Sequence, residues 1–205
     1  MKLPLLHVIS PQVIGHDTSF EYVAAALQEA CGSDLAIHLR APGARADRFY
    51  RLASALTAGA ERHGGWCVVN ERTDVALAAG AQAAQLGHRA LPLKAARQAF
   101  GDRLALGVSV HSAGEAREAA EAGANYLVLG TIFPSSSHPG ASPLGVAALS
   151  SCRGVEAPVV AIGGIDAERA TQALAAGASA VAVLSAVWEA ENPVAAAVGL
   201  LERLR

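Results

Sequence analysis

Residues 158–187 read PVVAIGGIDAERATQALAAGASAVAVLSAV. The run 159–163 is apolar and ends in glycine, the pattern of a strand buried on both faces. Gly163 and Gly164 make a tight exit, and Asp166 stands where a short acceptor caps the first N–H groups of a helix. Residues 167–176 continue as that helix, rich in alanine, the best helix former. Gly177 closes it, because glycine takes the left-handed position after a helix without a Cβ clash. A second apolar run, 180–184, follows and leads into Ser185. Strand, helix and strand joined by short connections are the unit of a parallel sheet.

The unit recurs towards the N-terminus. Residues 5–10, 35–40, 67–70, 83–86, 106–110 and 126–130 read as six further strands. Residues 19–29, 46–63 and 112–122 are the clearest helices between them. Ser112 with Glu115 three residues on forms a capping box, and Gly123 ends the helix that it starts. Eight β-then-α units in 205 residues, with no linker or composition break, predict one α/β domain over residues 1–205, a (β/α)8 TIM barrel. A doubly wound open sheet carries the same local signals and is the rival architecture.

Composition narrows the function. Half the chain is hydrophobic (52%), 4% is aromatic, and the formal net charge is −2 with acids and bases interspersed. No basic stripe marks a nucleic-acid or membrane-surface partner. No apolar run approaches the ~18 residues of a membrane span, and the start, MKLPLLH, has no signal-peptide pattern. Cys31, Cys67 and Cys152 are an odd number at wide spacing, which suits reduced core thiols in a cytoplasmic protein better than disulfides or zinc. The alanine-rich helices would allow a homodimer face.

In a barrel of this type the site lies at the C-terminal strand ends. Those ends carry His38 and Arg40, then Asn70, Glu71, Arg72 and Asp74, then His88 and Arg89, then Ser109, His111 and Ser112. The sixth opens into GTIFPSSSHPG, residues 130–140, and the seventh and eighth give Gly163, Gly164 and Ser185. Glycines at a strand-to-helix turn let backbone N–H groups approach a phosphate, and barrels often bind phosphate after strands 7 and 8. The alternative is that these glycines only make a turn. Ser135 and Ser137 could close over the same anion as hydroxyl donors; otherwise their loop is a flexible connector. His38, His88, His111 and His138 at the mouth titrate near neutrality and can move protons, whereas His7, His16 and His63 read as structural or solvated. With no H-x-H or H-x-x-x-H spacing and no carboxylate cluster, no metal is expected.

Taken in order, "IHLR", "VNERTDVALAAGA", "GVSVHS", "NYLVLGTIFPSSSHPG", "VVAIGGI" and "AVAVLSAV" resemble the thiamine phosphate synthase superfamily of small barrels, from about residue 35 to the C-terminus. The resemblance implies a phosphorylated thiazole as ligand, with phosphate contacts from Ser135, Ser137, Gly163, Gly164 and the Ser185 region. One branch, the synthase, joins a pyrimidine diphosphate to a thiazole phosphate with magnesium. The other, TenI-like branch includes a thiazole tautomerase, which shifts a proton without a metal.

This chain departs from the synthase pattern Q-x-R-x-K after the second strand, where it has His38, Arg40 and Pro42. Glu71 stands for one synthase aspartate, Ala90 for the second magnesium aspartate and His138 for a lysine. Alanine cannot ligate a hard cation. "IHLR" and "SVHS" look more like the TenI-like branch, although Thr131 stands where its histidine is expected. The expectation is therefore a cofactor-free thiazole tautomerase. In it His138 and His111 move the proton, Arg40 or Arg72 clamps the substrate carboxylate, and His38, Asn70, Ser109 and Thr131 line the substrate. A synthase with a rebuilt diphosphate site and a non-catalytic binder of a phosphorylated thiazole or thiamine phosphate are the alternatives.

Overall fold

The structure, a computed structural model, describes residues 2–11, 14, 18–135, 140 and 142–205. Eight parallel strands follow one another around a closed barrel: β1 (Leu6–Ile9), β2 (Leu35–Leu39), β3 (Trp66–Asn70), β4 (Ala83–Leu86), β5 (Ala105–Val110), β6 (Tyr126–Gly130), β7 (Val159–Ile162) and β8 (Ala180–Val183). β8 pairs back onto β1, so the open-sheet rival is excluded. The strands fall within a residue or so of their expected places.

The helices are α1 (Ser19–Cys31), α2 (Ala46–His63), α3 (Thr73–Ala78), α4 (Leu93–Phe100), α5 (Ala113–Glu121), α6 (Val146–Ser151), α7 (Ala167–Ala175), α8 (Ser185–Trp188) and α9 (Pro193–Leu204). Their ends have local causes. The Ser112 hydroxyl accepts from the Glu115 N–H at 3.1 Å, and Asp166 accepts from the Arg169 N–H at 2.9 Å. The capping box differs in one respect, because the Glu115 carboxylate accepts from the His111 N–H at 2.8 Å, one residue outside the cap. That bond fixes the exit of β5 as well as the start of α5.

Side chains alternate across each strand. One set, with Leu6, Ile37, Cys67, Leu106, Leu127 and Ala161, packs outwards against the helices. The other set fills the barrel: Ile9, Ala36, Trp66, Val68, Ala83, Tyr126, Val128, Val160, Ala180 and Ala182. Tyr126 is fully buried there. Its ring fits because residue 107 is glycine, where a Cβ would overlap both Tyr126 and the Gln85 side chain.

Polar groups share this interior, with His7, His38 and Gln85 all buried. Cys31, Cys67 and Cys152 are buried and free. Among the described residues no helix is long and apolar enough to cross a membrane.

Candidate active site at the strand ends

The mouth has two polar regions on opposite sides. The first lies over the ends of β2, β3 and β4. Arg40, Asn70, Glu71, Arg72 and Arg89 line a cavity of about 300 Å³ together with residues 41–44 and Phe49. Ser10 holds the start of this wall: its hydroxyl accepts from the Arg40 N–H at 2.8 Å and donates to the Arg40 carbonyl at 3.1 Å.

Glu71 leaves β3 with φ of 66°, and its N–H donates to the Gln85 carbonyl at 2.9 Å. A non-glycine residue in this left-handed conformation is held by its surroundings, at a cost of ~1–3 kcal/mol. The guanidinium of Arg72 is already engaged, reaching both oxygens of Asp74 at 2.8 and 2.6 Å. These hydrogen bonds from Arg72 hold the Asp74 carboxyl below its ordinary range. The fork of Arg72 is therefore not open to a substrate carboxylate, which leaves Arg40 of the two arginines that the sequence offers as a clamp. Among the described residues the guanidinium groups of Arg40 and Arg89 have no such acceptor.

The second region lies over β7 and β8. Gly163 and Gly164 have φ of 100° and 63°. A Cβ on Gly163 would lie 2.6 Å from the Thr131 hydroxyl, and one on Gly164 would strike the Pro134 carbonyl. Both glycines are thus demanded by the close approach of the segment after β6, whatever else they do. That segment is tied down by Ile132 N–H to Ile162 carbonyl (2.8 Å) and Phe133 N–H to Gly163 carbonyl (3.0 Å). Among the described residues no acceptor faces the N–H of Gly163 or of Gly164. Arg169 stacks over Phe133 and donates to the Gly164 carbonyl at 2.8 Å, fixing the turn from behind. Ser185 opens the short helix α8, half-buried beside this turn.

Between the regions stands His111, exposed, with Nδ1 2.7 Å from the Gly130 carbonyl. Since a carbonyl only accepts, Nδ1 carries a proton and donates it to that carbonyl. Ser109 is half-buried below it and accepts from the Gln85 amide at 3.0 Å.

His38 is not at the mouth. It is buried inside the barrel, Nε2 2.8 Å from His7 Nδ1 and Nδ1 3.3 Å from Asn70 Oδ1. Burial lowers its pKa to about 4. For substrate contact this corrects the sequence reading, since the side chain supports Asn70 from below. His7, set aside in the sequence as structural or solvated, is its buried partner. The signal was available: His7 shares the inward parity of Ile9 on β1, as Gln85 shares that of Ala83 on β4.

Arg40, Asn70 and Arg72 come together as expected, Ser109, His111 and Thr131 lie at the strand ends, and Arg89, placed at a strand end by the sequence without a role, adds a cation to the cavity. His138 and Ser137 lie outside the described residues. Ser135 is described and half-buried.

Magnesium, implied by the synthase branch, does not fit the first region. Hard cations take several oxygen ligands. There Glu71 stands among three guanidinium groups, and Asp74 is bound to Arg72. Among the described residues no cluster of three or more histidine, cysteine, aspartate or glutamate side chains could hold a metal ion.

The fold is a closed (β/α)8 barrel with two anion-suited regions on one mouth. The family model described as thiamine monophosphate synthase matches residues 5–187, and the chain belongs to that family. It is 38% identical over 206 residues to a thiamine-phosphate synthase of Salinispora arenicola, covering 99% of this chain and 98% of that one. It is 39% identical over 190 residues to the thiamine-phosphate synthase of Gloeobacter violaceus, covering 92% of this chain and 55% of that longer protein. The solved thiamine phosphate pyrophosphorylase from Pyrococcus furiosus superposes with a TM-score of 0.84 at 31% identity, covering 98% of this chain and 95% of that one.

These likenesses overturn the tautomerase expectation and its assignment to the TenI-like branch. The relatives are named as synthases over essentially the whole chain. His38, the histidine of "IHLR" on which the TenI-like resemblance leans, belongs to the barrel interior and not to the mouth.

Proposed function

We propose that this protein is a transferase of the thiamine-phosphate synthase type, joining a pyrimidine diphosphate to a thiazole phosphate. The observation that carries the reading is the pair of anion-suited regions facing each other across one mouth. Two phosphorylated substrates need two such places. The likeness to synthases along nearly the full chain supports the same reading.

In this account the thiazole phosphate lies over Gly163, Gly164 and Ser185, with Ser135 and Ser137 closing from the loop after β6. Glycine N–H groups and serine hydroxyls are short, neutral donors suited to a phosphate monoester. The diphosphate lies at the other side, over Arg40, Asn70 and Arg89. Joining the two fragments forms a carbon–nitrogen bond and breaks the carbon–oxygen bond to the diphosphate, which leaves as pyrophosphate with the electron pair. Fixed guanidinium groups stabilise charge developing on such a leaving group. Ser109, His111 and Thr131 line the space between. With the tautomerase reading gone, His138 and His111 have no proton shift to perform. His111 instead positions the loop after β6 through the Gly130 carbonyl. The buried, free cysteines support a cytoplasmic setting.

The test follows pyrophosphate release with each substrate alone and with both. Release that needs both supports the transferase. Binding of both without release would favour a non-catalytic binder.

A further inference from the structure

The region over β2, β3 and β4 has a charge pattern that magnesium does not explain. Arg40, Arg72 and Arg89 line that cavity with one carboxylate, Glu71. Arg72 is paired one-to-one with Asp74, which leaves Arg40 and Arg89 as open cations. The cavity is positive before any ligand enters, a setting that repels a free dication and attracts a polyanion. Ala90 follows Arg89 directly, so the chain offers a guanidinium beside the place where the family resemblance puts a metal-binding carboxylate. Guanidinium groups bind phosphate oxygens through two parallel hydrogen bonds, and two of them can neutralise most of a diphosphate.

We propose that Arg40 and Arg89 hold a terminal diphosphate in this cavity without a divalent cation, with the Asn70 amide as an uncharged third donor. The inference rests on the transferase reading and deepens it. It makes Arg89 a binding residue in its own right. It also gives Glu71 an unusual part: its carboxylate faces the same anion and repels it, which favours release of pyrophosphate once it has been freed.

The cavity could receive this group as pyrophosphate or on the pyrimidine, and both are titrated calorimetrically in chelator and then in excess magnesium. Inorganic phosphate serves as the control. Pyrophosphate and the pyrimidine diphosphate are expected to bind in chelator, with magnesium changing the affinity little. Arg89→Ala is expected to weaken both by about tenfold or more, the loss usual for a charge-assisted contact, and Arg89→Lys to recover part of it. Glu71→Gln separates the two arrangements by sign. It tightens pyrophosphate binding if the site is metal-free and weakens it if Glu71 holds a metal.

Binding that appears only with magnesium, or a loss of binding in Glu71→Gln, would overturn the proposal, as would inorganic phosphate binding as tightly as pyrophosphate. Turnover is read separately. Magnesium-dependent synthesis would remove this inference and leave the transferase standing. Chelator-insensitive pyrophosphate binding without synthesis would do the reverse.

Discussion

His7 Nδ1 and His38 Nε2 lie 2.8 Å apart inside a closed barrel, both rings buried. Neither ring is charged near neutral pH. Burial, and then the neighbouring His38, holds the His7 pKa well below its ordinary value, although the Pro4 carbonyl pulls the other way. His38 is lowered to about 4 by burial, against the hydrogen bond to Asn70. In the unfolded chain both titrate near ~6.5. Between about 6.5 and about 4 the unfolded state therefore binds more protons, and stability falls as pH falls through that window. Above it these histidines contribute no slope. For His38 the slope approaches about 1.4 kcal/mol per pH unit inside that window, and His7 adds to it with the same sign. Denaturant unfolding at a series of pH values checks it, and His38→Gln should make the slope shallower.

The same pair fixes which way Asn70 faces. Among the described residues the buried His7 Nε2 has no hydrogen-bond partner. An orphaned lone pair costs less than an orphaned N–H, so His7 carries its proton on Nδ1 and donates it to His38 Nε2. His38 must then donate from Nδ1 to Asn70 Oδ1, which leaves the Asn70 NH2 for the arginine-lined cavity. Nitrogen NMR of the two rings should find Nδ1 protonated in each. Asn70→Asp replaces that donor by an anion and should weaken pyrophosphate binding at least ~10-fold.

The turn over β7 should tolerate no side chain. Gly163→Ala places a Cβ 2.9 Å from the Thr131 Cα, and Gly164→Ala meets the Pro134 carbonyl, both at positive φ. The backbone conformation alone costs ~1–3 kcal/mol in a non-glycine residue. Each variant should melt at lower temperature and bind thiazole phosphate more weakly. Unchanged melting would mean that the loop after β6 does not pack as described.

Tyr126 offers a test in the opposite direction. Its hydroxyl is buried and has no partner among the described residues, and burial alone raises its pKa far above the usual tyrosine value. Tyr126→Phe removes that unsatisfied group while keeping the ring that fills the barrel. Denaturation should show a gain of up to about 1 kcal/mol, the lower end of the cost of a buried unpaired polar group. A loss would show that the hydroxyl has a partner after all.

The barrel was legible because the strands are short, mostly apolar runs, several of them followed by a glycine or a helix cap, and those signals are local. Gly177 at φ of 113° and the Asp166 cap both appear where the sequence put them. The mouth was legible in outline, since strand ends follow from strands. The role of His38 was misread because nothing local tells a last inward residue from a first exposed one. Its place depends on His7, 31 residues away and two strands' registers. Of the two arginines offered as a clamp, Arg72 drops out for a nearer reason, as Asp74 two residues on takes its fork. The pocket of Arg40 and Arg89 joins loops 49 residues apart, which only the closed barrel brings together.

Product formation tests the central claim most directly. Purified protein is given the pyrimidine diphosphate and the thiazole phosphate, and thiamine phosphate is quantified against released pyrophosphate. The account predicts thiamine phosphate in one-to-one ratio with pyrophosphate, and none when either substrate is left out. Absence of thiamine phosphate under conditions where both substrates are shown to bind would contradict it.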